Sequence, residues 1–221
     1  PGDRPRRRCA AIDQGGAVSG AAGLRVVVVD AGGANLGSVC YALERLGVQP
    51  QVVADAAGLQ NADRVILPGV GAAPEAMRRL HAQGMVEPLR TLQSPLLGIC
   101  LGMQLLYERS EEGDVACLGL LPGTVRRLLP APGIRIPHMG WNRLRRLRPS
   151  ALLDGVADDA SAYFVHSYAA PVSADTVAAS DHGGLFSAVV QRGRHCGAQF
   201  HPERSAATGA RILGNFLEMD F

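Results

Sequence analysis

The chain has 221 residues, 47% of them hydrophobic, and a net charge of +2, which is ample material for one α/β domain and singles out no class of charged partner. Its five cysteines (Cys9, Cys40, Cys100, Cys117 and Cys196) are irregularly spaced, which excludes a disulfide framework and a C-x-x-C metal site and points to a reducing, cytoplasmic compartment. All 22 basic residues other than histidine are arginine, a bias of composition and not a functional device.

Residues 1–23 are predicted to be a flexible extension, followed by one domain over 24–221. The extension carries Arg4, Arg6, Arg7 and Arg8 but no apolar run long enough for a signal-peptide core, so neither secretion nor membrane insertion is expected. A nucleic-acid-binding arm is the sharper alternative; arginines without interleaved aromatics fit a solvated tail better.

Order is predicted from Leu24 onward. Leu24-Arg25-Val26-Val27-Val28-Val29-Asp30 reads as a central parallel strand. After Ala31-Gly32-Gly33-Ala34-Asn35 comes a helix with Leu36, Val39, Leu43 and Leu46 on one face, stopped at Gly47. Gln51 to Val53 is the next strand. Asp63-Arg64-Val65-Ile66-Leu67 is another, broken by Pro68-Gly69-Val70-Gly71 before a helix near Pro74. Repetition of strand, Gly-rich turn and helix predicts an α/β fold, a mostly parallel open sheet with flanking helices. The first turn lacks G-x-G-x-x-G spacing and the second lacks a P-loop lysine, so neither suits a phosphate. At the carboxyl edge of the sheet, the second turn's glycines suit an oxyanion hole better.

The third repeat is the most informative. In Ser94 to Leu106 an apolar run ends at Gly98 and a helix-period run begins at Leu101, which puts Cys100 on the turn between them. G-x-C-x-G is a nucleophile elbow written with cysteine. At a helix N-terminus the thiolate is favoured, and the Leu101 N–H is placed to stabilise an oxyanion. The pattern by itself equally admits a buried, inert cysteine in a strand-to-helix turn.

Glu111, Glu112 and Asp114 then form an acidic turn. Arg135 to Asn142 gathers a His, a Met and the only Trp around Gly140; Met139, Trp141 and Asn142 suit a contact surface more than a strand interior. Ala162 to Tyr168 reads as a strand with a polar end, and Thr176 to Phe200 as two or three short strands forming an antiparallel or mixed edge. Next comes Phe200-His201-Pro202-Glu203. In an extended segment His201 and Glu203 face the same way, so the carboxylate can fix the imidazole tautomer while the other ring nitrogen exchanges a proton with Cys100. A final helix holds Ile212, Leu213, Phe216 and Leu217.

Gly98-Ile99-Cys100-Leu101-Gly102-Met103-Gln104, followed about a hundred residues later by Phe200-His201-Pro202-Glu203, resembles the class I (triad) glutamine amidotransferases. Within that superfamily, Pro68 to Gly71, Ser110 to Gly113, Pro137 to Asn142 and Tyr163 to Tyr168 resemble the glutaminase subunits of imidazole glycerol phosphate synthase, of histidine biosynthesis. The likeness runs from Leu24 to about the C-terminus. It implies Cys100 as nucleophile, His201 as acid/base and Glu203 as its orienter, with no metal or cofactor. It further implies an oxyanion hole from Leu101, Val70 and Gly71, and an L-glutamine pocket from Gln104, Glu112, His166, Ser167 and Tyr168. The implied partner is a (β/α)-barrel cyclase subunit in a heterodimer, docked on Asn35, Met139, Trp141, Asn142 and Arg204; nucleic acid and membrane are not expected partners. Ala31, Ala34, Ala73 and Arg204 depart from the family pattern without touching the triad. Two rivals are the glutaminase subunit of pyridoxal phosphate synthase, against which Pro137 to Asn142 argues, and a catalytically silent scaffold, against which the intact triad argues.

Overall fold

The computed structural model describes residues 23–32 and 35–221. The extension expected over residues 1–23 lies, but for Gly23, outside the described residues.

Strand β1 (Val26–Val29) is buried along its whole length, and its valines alternate between two cores: Val26 and Val28 face one side of the sheet, Val27 and Val29 the other. Helix α1 (Leu36–Glu44) buries Val39 and Leu43 in the first core and ends before Gly47, whose φ of 85° only glycine adopts readily. Strand β2 (Gln51–Val53) and strand β3 (Arg64–Gly69) flank β1 in parallel. Helices α2 (Ala73–Ala82) and α3 (Val86–Arg90) fill the second core with Met77, Leu80 and Leu89. Strand β4 (Leu96–Cys100) pairs parallel with β3 and ends on the expected nucleophile.

Helix α4 (Leu101–Gln104) is a single turn, not the longer helix that the apolar period predicted. Every residue from Leu101 to Tyr107 is buried, so this run has no wet face, and periodicity cannot separate a helix from a buried turn leading into strand β5 (Tyr107–Ser110). Strands β6 (Val115–Ala116) and β7 (Leu121–Arg127) join β5 in a small second sheet that the sequence did not announce. Strand β8 (His138–Arg143) leads to β9 (Arg145–Arg146) and then pairs antiparallel with β10 (Ser161–His166) as a separate two-stranded ribbon. Strand β11 (Tyr168–Ala169) completes the small sheet.

Strands β12 (Thr176–Asp181), β13 (Leu185–Arg192) and β14 (His195–Ala198) close the main sheet. Its order is β2-β1-β3-β4-β14-β13-β12-β9, parallel from β2 to β14 and antiparallel beyond, which is the predicted open sheet with an antiparallel edge. Helix α5 (Ala206–Glu218) packs Ile212, Leu213, Phe216 and Leu217 into the same core as α1. The outcome that matters for chemistry is the pairing of β4 with β14, which sets the ends of the Cys100 and His201 segments side by side. Among the described residues no helix is long and apolar enough to cross a membrane.

Candidate active site

The turn at Cys100 is enforced by contact. Cys100 has φ 53° and ψ −112°, a strained backbone state for a residue with a side chain. A Cβ on Gly98 would lie 2.6 Å from the Gly102 carbonyl oxygen, and one on Gly102 only 1.7 Å from that of Leu67. Glycine at both places lets α4 fold back onto β4 and β3 and throws the thiol out between them. Because α4 is one turn, few peptide dipoles align behind the sulfur, and the positive charge available to a thiolate there is mainly that of His201.

His201 is placed by a tight local network. Its N–H donates to the Tyr163 carbonyl at 2.9 Å, and its own carbonyl accepts from Ser205 Oγ at 2.7 Å. Here the structure departs from the extended segment assumed above. Pro202 to Arg204 form a 3-10 turn, and it is this turn that brings Glu203 Oε1 to 2.8 Å from His201 Nδ1. Proline pre-sets the backbone for such a turn. Gly209 of α5 sits against it so closely that a Cβ would be 1.9 Å from the Pro202 oxygen. The Glu203 side chain has no exposed surface. Burial works to lower the imidazole pKa of His201, but hydrogen bonds to Cys100 and Glu203, and their charges, outweigh it and raise it above the ordinary histidine value. By contrast, burial pushes the Cys117 thiol up to about 11 and the Cys196 thiol up to about 12. These are inert core thiols, whereas Cys100 is hydrogen-bonded to the His201 imidazole.

Cys100 and His201 open onto a cavity of about 340 Å³ whose walls include Val70, Gly71, Leu101, Gln104, Glu112, His166, Ser167 and Tyr168. All the residues expected in the glutamine pocket and oxyanion hole therefore come together. Their side chains are used in different ways. Gln104 donates to the Tyr168 carbonyl at 2.8 Å and to Gln199 Oε1 at 3.1 Å, so it braces the wall from behind. Glu112 accepts from the Ala73 N–H at 2.7 Å, tying the acidic turn to the start of α2. Gly69 packs against the elbow, where an added Cβ would sit 3.0 Å from the Gly102 nitrogen, whereas Gly71, with φ 95°, has open space around it.

The expected contact residues divide. Met139 and Trp141 are 64% and 55% exposed on one face of β8. Trp141 meets Tyr163 edge-on, with ring centroids 5.9 Å apart. Asn142 points the other way and donates to the Asp181 carbonyl and to His138 Nε2. Asn35 is turned inward as well, and its amide donates to Glu203 Oε1. Arg204 is exposed at the end of the 3-10 turn that carries Glu203. Sequence reading missed Gln199, which is fully buried and points Nε2 at the Cys100 sulfur from 3.9 Å, and His138, which is buried. The two-residue spacing of Gln199 and His201 was the available signal for the first. For the second there was none, because the buried site of His138 is made by strand pairing.

The glutamine amidotransferase class-I family matches residues 27–219. Over 196 residues the chain is 77% identical to "Imidazole glycerol phosphate synthase subunit HisH" of Xanthomonas axonopodis pv. citri, covering 89% of this chain and 98% of that one. It is 72% identical over 195 residues to the protein of the same name from Xylella fastidiosa, covering 88% and 98%. Among solved structures, one described as a glutamine amidotransferase matches with a TM-score of 0.69 at 21% identity, covering 87% of this chain and 97% of its own. PurLQS from Thermotoga maritima matches at 0.66 and 22% identity, covering 88% and 97%. At such identities the structural matches speak for the fold.

Proposed function

The chain belongs to the glutamine amidotransferase class-I family, and from that premise we propose that it is the glutaminase subunit of an imidazole glycerol phosphate synthase. The observation that carries the reading is a Cys100–His201–Glu203 line opening onto one cavity of about 340 Å³ that the Val70–Gly71 turn also lines. The domain is residues 24–221, with residues 1–23 as an extension that takes no part in catalysis.

In this reading the Cys100 thiolate attacks the side-chain amide carbon of glutamine. The oxyanion is held by the Leu101 N–H and by an N–H of the Val70–Gly71 turn. His201, oriented by Glu203, gives its proton to the departing nitrogen, and ammonia leaves behind a γ-glutamyl thioester. Water, deprotonated by His201, then cleaves the thioester to glutamate and restores the thiol. Glu112 and the His166 to Tyr168 segment hold the amino-acid end. Ammonia released into water would become ammonium and lose its nucleophilicity. A closed path to the partner avoids this, and the resemblance to these synthases implies that the partner is a (β/α)-barrel cyclase making imidazole glycerol phosphate and aminoimidazole carboxamide ribonucleotide. Met139 and Trp141 supply the exposed apolar part of the docking face.

The test is Cys100→Ala in the assembled synthase. Glutamine-dependent product formation is expected to vanish while synthesis from ammonium salts continues at the wild-type rate. Loss of both in an assembled complex would overturn this division of labour.

A further inference from the structure

From the His166 wall of the cavity a buried chain of polar groups runs inward to His138 and Asn142, which do not line the cavity. His138 and His166 are cross-strand partners in the β8–β10 ribbon, 3% and 6% exposed. Their rings meet through His138 Nδ1 and His166 Nε2 at 3.0 Å. The other nitrogen of His166, Nδ1, lies 2.9 Å from the Tyr168 carbonyl, and the other nitrogen of His138, Nε2, lies 3.2 Å from the Asn142 amide. His138 is also sandwiched between Phe164 and His182, with centroids 4.9 and 4.1 Å away.

Every proton in this chain has one possible place. A carbonyl only accepts, so His166 carries its hydrogen on Nδ1 and leaves Nε2 bare when neutral. His138 must then donate from Nδ1, which leaves its own Nε2 bare to accept from Asn142. The Asn142 amide is fixed in turn, since its Nδ2 donates to the Asp181 carbonyl at 2.8 Å and its Oδ1 accepts the Arg143 N–H at 2.8 Å. The Tyr168 carbonyl is where this chain meets a second one. It also accepts from Gln104, which donates to Gln199, which faces the Cys100 sulfur. Burial keeps both rings neutral: it lowers the pKa of His138 to about 4 and of His166 to about 3, with neighbouring imidazoles adding to the effect.

We infer that His138 is a positioning residue for glutamine hydrolysis, acting through His166 to hold the Tyr168 carbonyl on which the pocket wall and the Gln104–Gln199 bridge to the nucleophile are registered. This rests on the reading of the cavity as the glutamine site. His138 touches no substrate. Its hydrogen bond removes the freedom of the His166 to Tyr168 segment to rotate away from the bound amino acid, so its contribution is expected in substrate binding before it is expected in the chemical step.

Two measurements on the full chain decide it. Histidine-selective 15N NMR of the wild type at neutral pH is expected to show His166 and His138 as neutral Nδ1–H tautomers; an Nε2–H tautomer at His166 overturns the inference without recourse to any variant. In the complex with the cyclase subunit, His138→Phe keeps the ring stack but removes the donor. It is expected to raise the glutamine KM by about tenfold or more and to change kcat by less than about threefold. In His138→Asn the side-chain amide nitrogen stands where Nδ1 stood, and KM is expected to return to within about threefold of wild type. A merely structural residue would give no such rescue and no separation of KM from kcat. An unchanged KM in folded His138→Phe overturns the inference alone. A wild-type complex that hydrolyses no glutamine overturns the functional reading as well.

Discussion

The two walls of the cavity are built on opposite plans. On the β4 side, position is enforced by excluded volume: Gly98 and Gly102 sit where any side chain would strike backbone, Gly69 sits where one would press on it, and the strained Cys100 turn is what remains. On the β8–β10 side, position is enforced by direction, through hydrogen bonds between buried imidazoles and amides whose protons have one arrangement each. The first plan tolerates no added atom and is indifferent to acid. The second keeps its shape through modest changes of volume and is open to any change in protonation. A nucleophile that must meet a carbon atom in line suits the first plan, and a wall that must fit an amino acid suits the second.

The largest effect is expected inside the steric wall itself, where one glycine is pinned and another is free. Gly69 packs against Gly102, whereas Gly71, at φ 95°, has nothing within reach of a Cβ. That open space leaves room for the Val70 peptide between them to turn, and such a rotation is expected to present either a carbonyl or an N–H to a developing oxyanion. Binding of the cyclase together with the cyclase's own substrate is therefore expected to raise glutaminase kcat by about 10²–10³-fold, or roughly 3–4 kcal/mol, the worth of one oxyanion donor. Gly71→Val, which disfavours positive φ, is expected to remove most of that rise. Equal glutamate release by the free subunit, the complex and the liganded complex would mean that the wall is rigid throughout.

Next comes Gly102→Ala, whose methyl would stand 1.7 Å from the Leu67 oxygen. Backbone cannot yield as a side-chain tip can, so denaturant unfolding is expected to show a loss of about 3 kcal/mol, at the upper end of overpacking costs. A variant of wild-type stability would show that the elbow is held by something other than contact.

The same contrast explains what could be read in advance. Cys100 was legible because steric constraint leaves glycines at fixed offsets, and His201 and Glu203 because proline and a two-residue spacing leave a local trace. The parallel strands were legible as β-branched runs such as Val26 to Val29. The directional wall leaves no local trace. His138 and His166 lie in separate segments and meet by strand register, and Asn35 reaches Glu203 from the opposite end of the chain. The small β5–β6–β7–β11 sheet was not legible either: β5 begins at the end of a run buried on all sides with no period to read, and β6 and β11 are two residues each.

A smaller effect is expected at Trp141, which joins the two plans. The residue is 55% exposed, yet its ring rests on Tyr163, whose carbonyl receives the His201 N–H. Trp141→Ala is expected to weaken cyclase binding by about 2 kcal/mol, as truncation of an aromatic anchor does, while the melting temperature of the free subunit moves little. Calorimetric titration of the partner checks this. Unfolding of the free variant would show that Tyr163 depends on the indole and that the residue belongs to the core.

The smallest effect separates the walls by acid. His138, His166 and His195 have pKa values lowered mainly by burial, so the unfolded chain takes up protons near pH 6.5 that the native chain refuses. Their linkage costs stability as pH falls below about 6.5, and for His138 and His166 the loss continues until pH reaches the folded values, about 4 and about 3. His201 has the opposite sign. Its folded pKa is raised, so its contribution is fully present below the unfolded value and is lost only as pH rises through the folded one. Between pH 6 and pH 5 the His201 contribution is nearly complete and constant, and the neutral histidines dominate. Each can then lose up to about 1.4 kcal/mol per pH unit. Replacing His138 by Phe removes one of them, so the fall in unfolding free energy from pH 6 to pH 5 is expected to be shallower than in wild type by about 1 kcal/mol. Gly102→Ala should lower the whole curve and leave its slope alone. Parallel slopes for wild type and His138→Phe would mean that the imidazole is not held neutral, and the directional wall would lose its dependence on protonation.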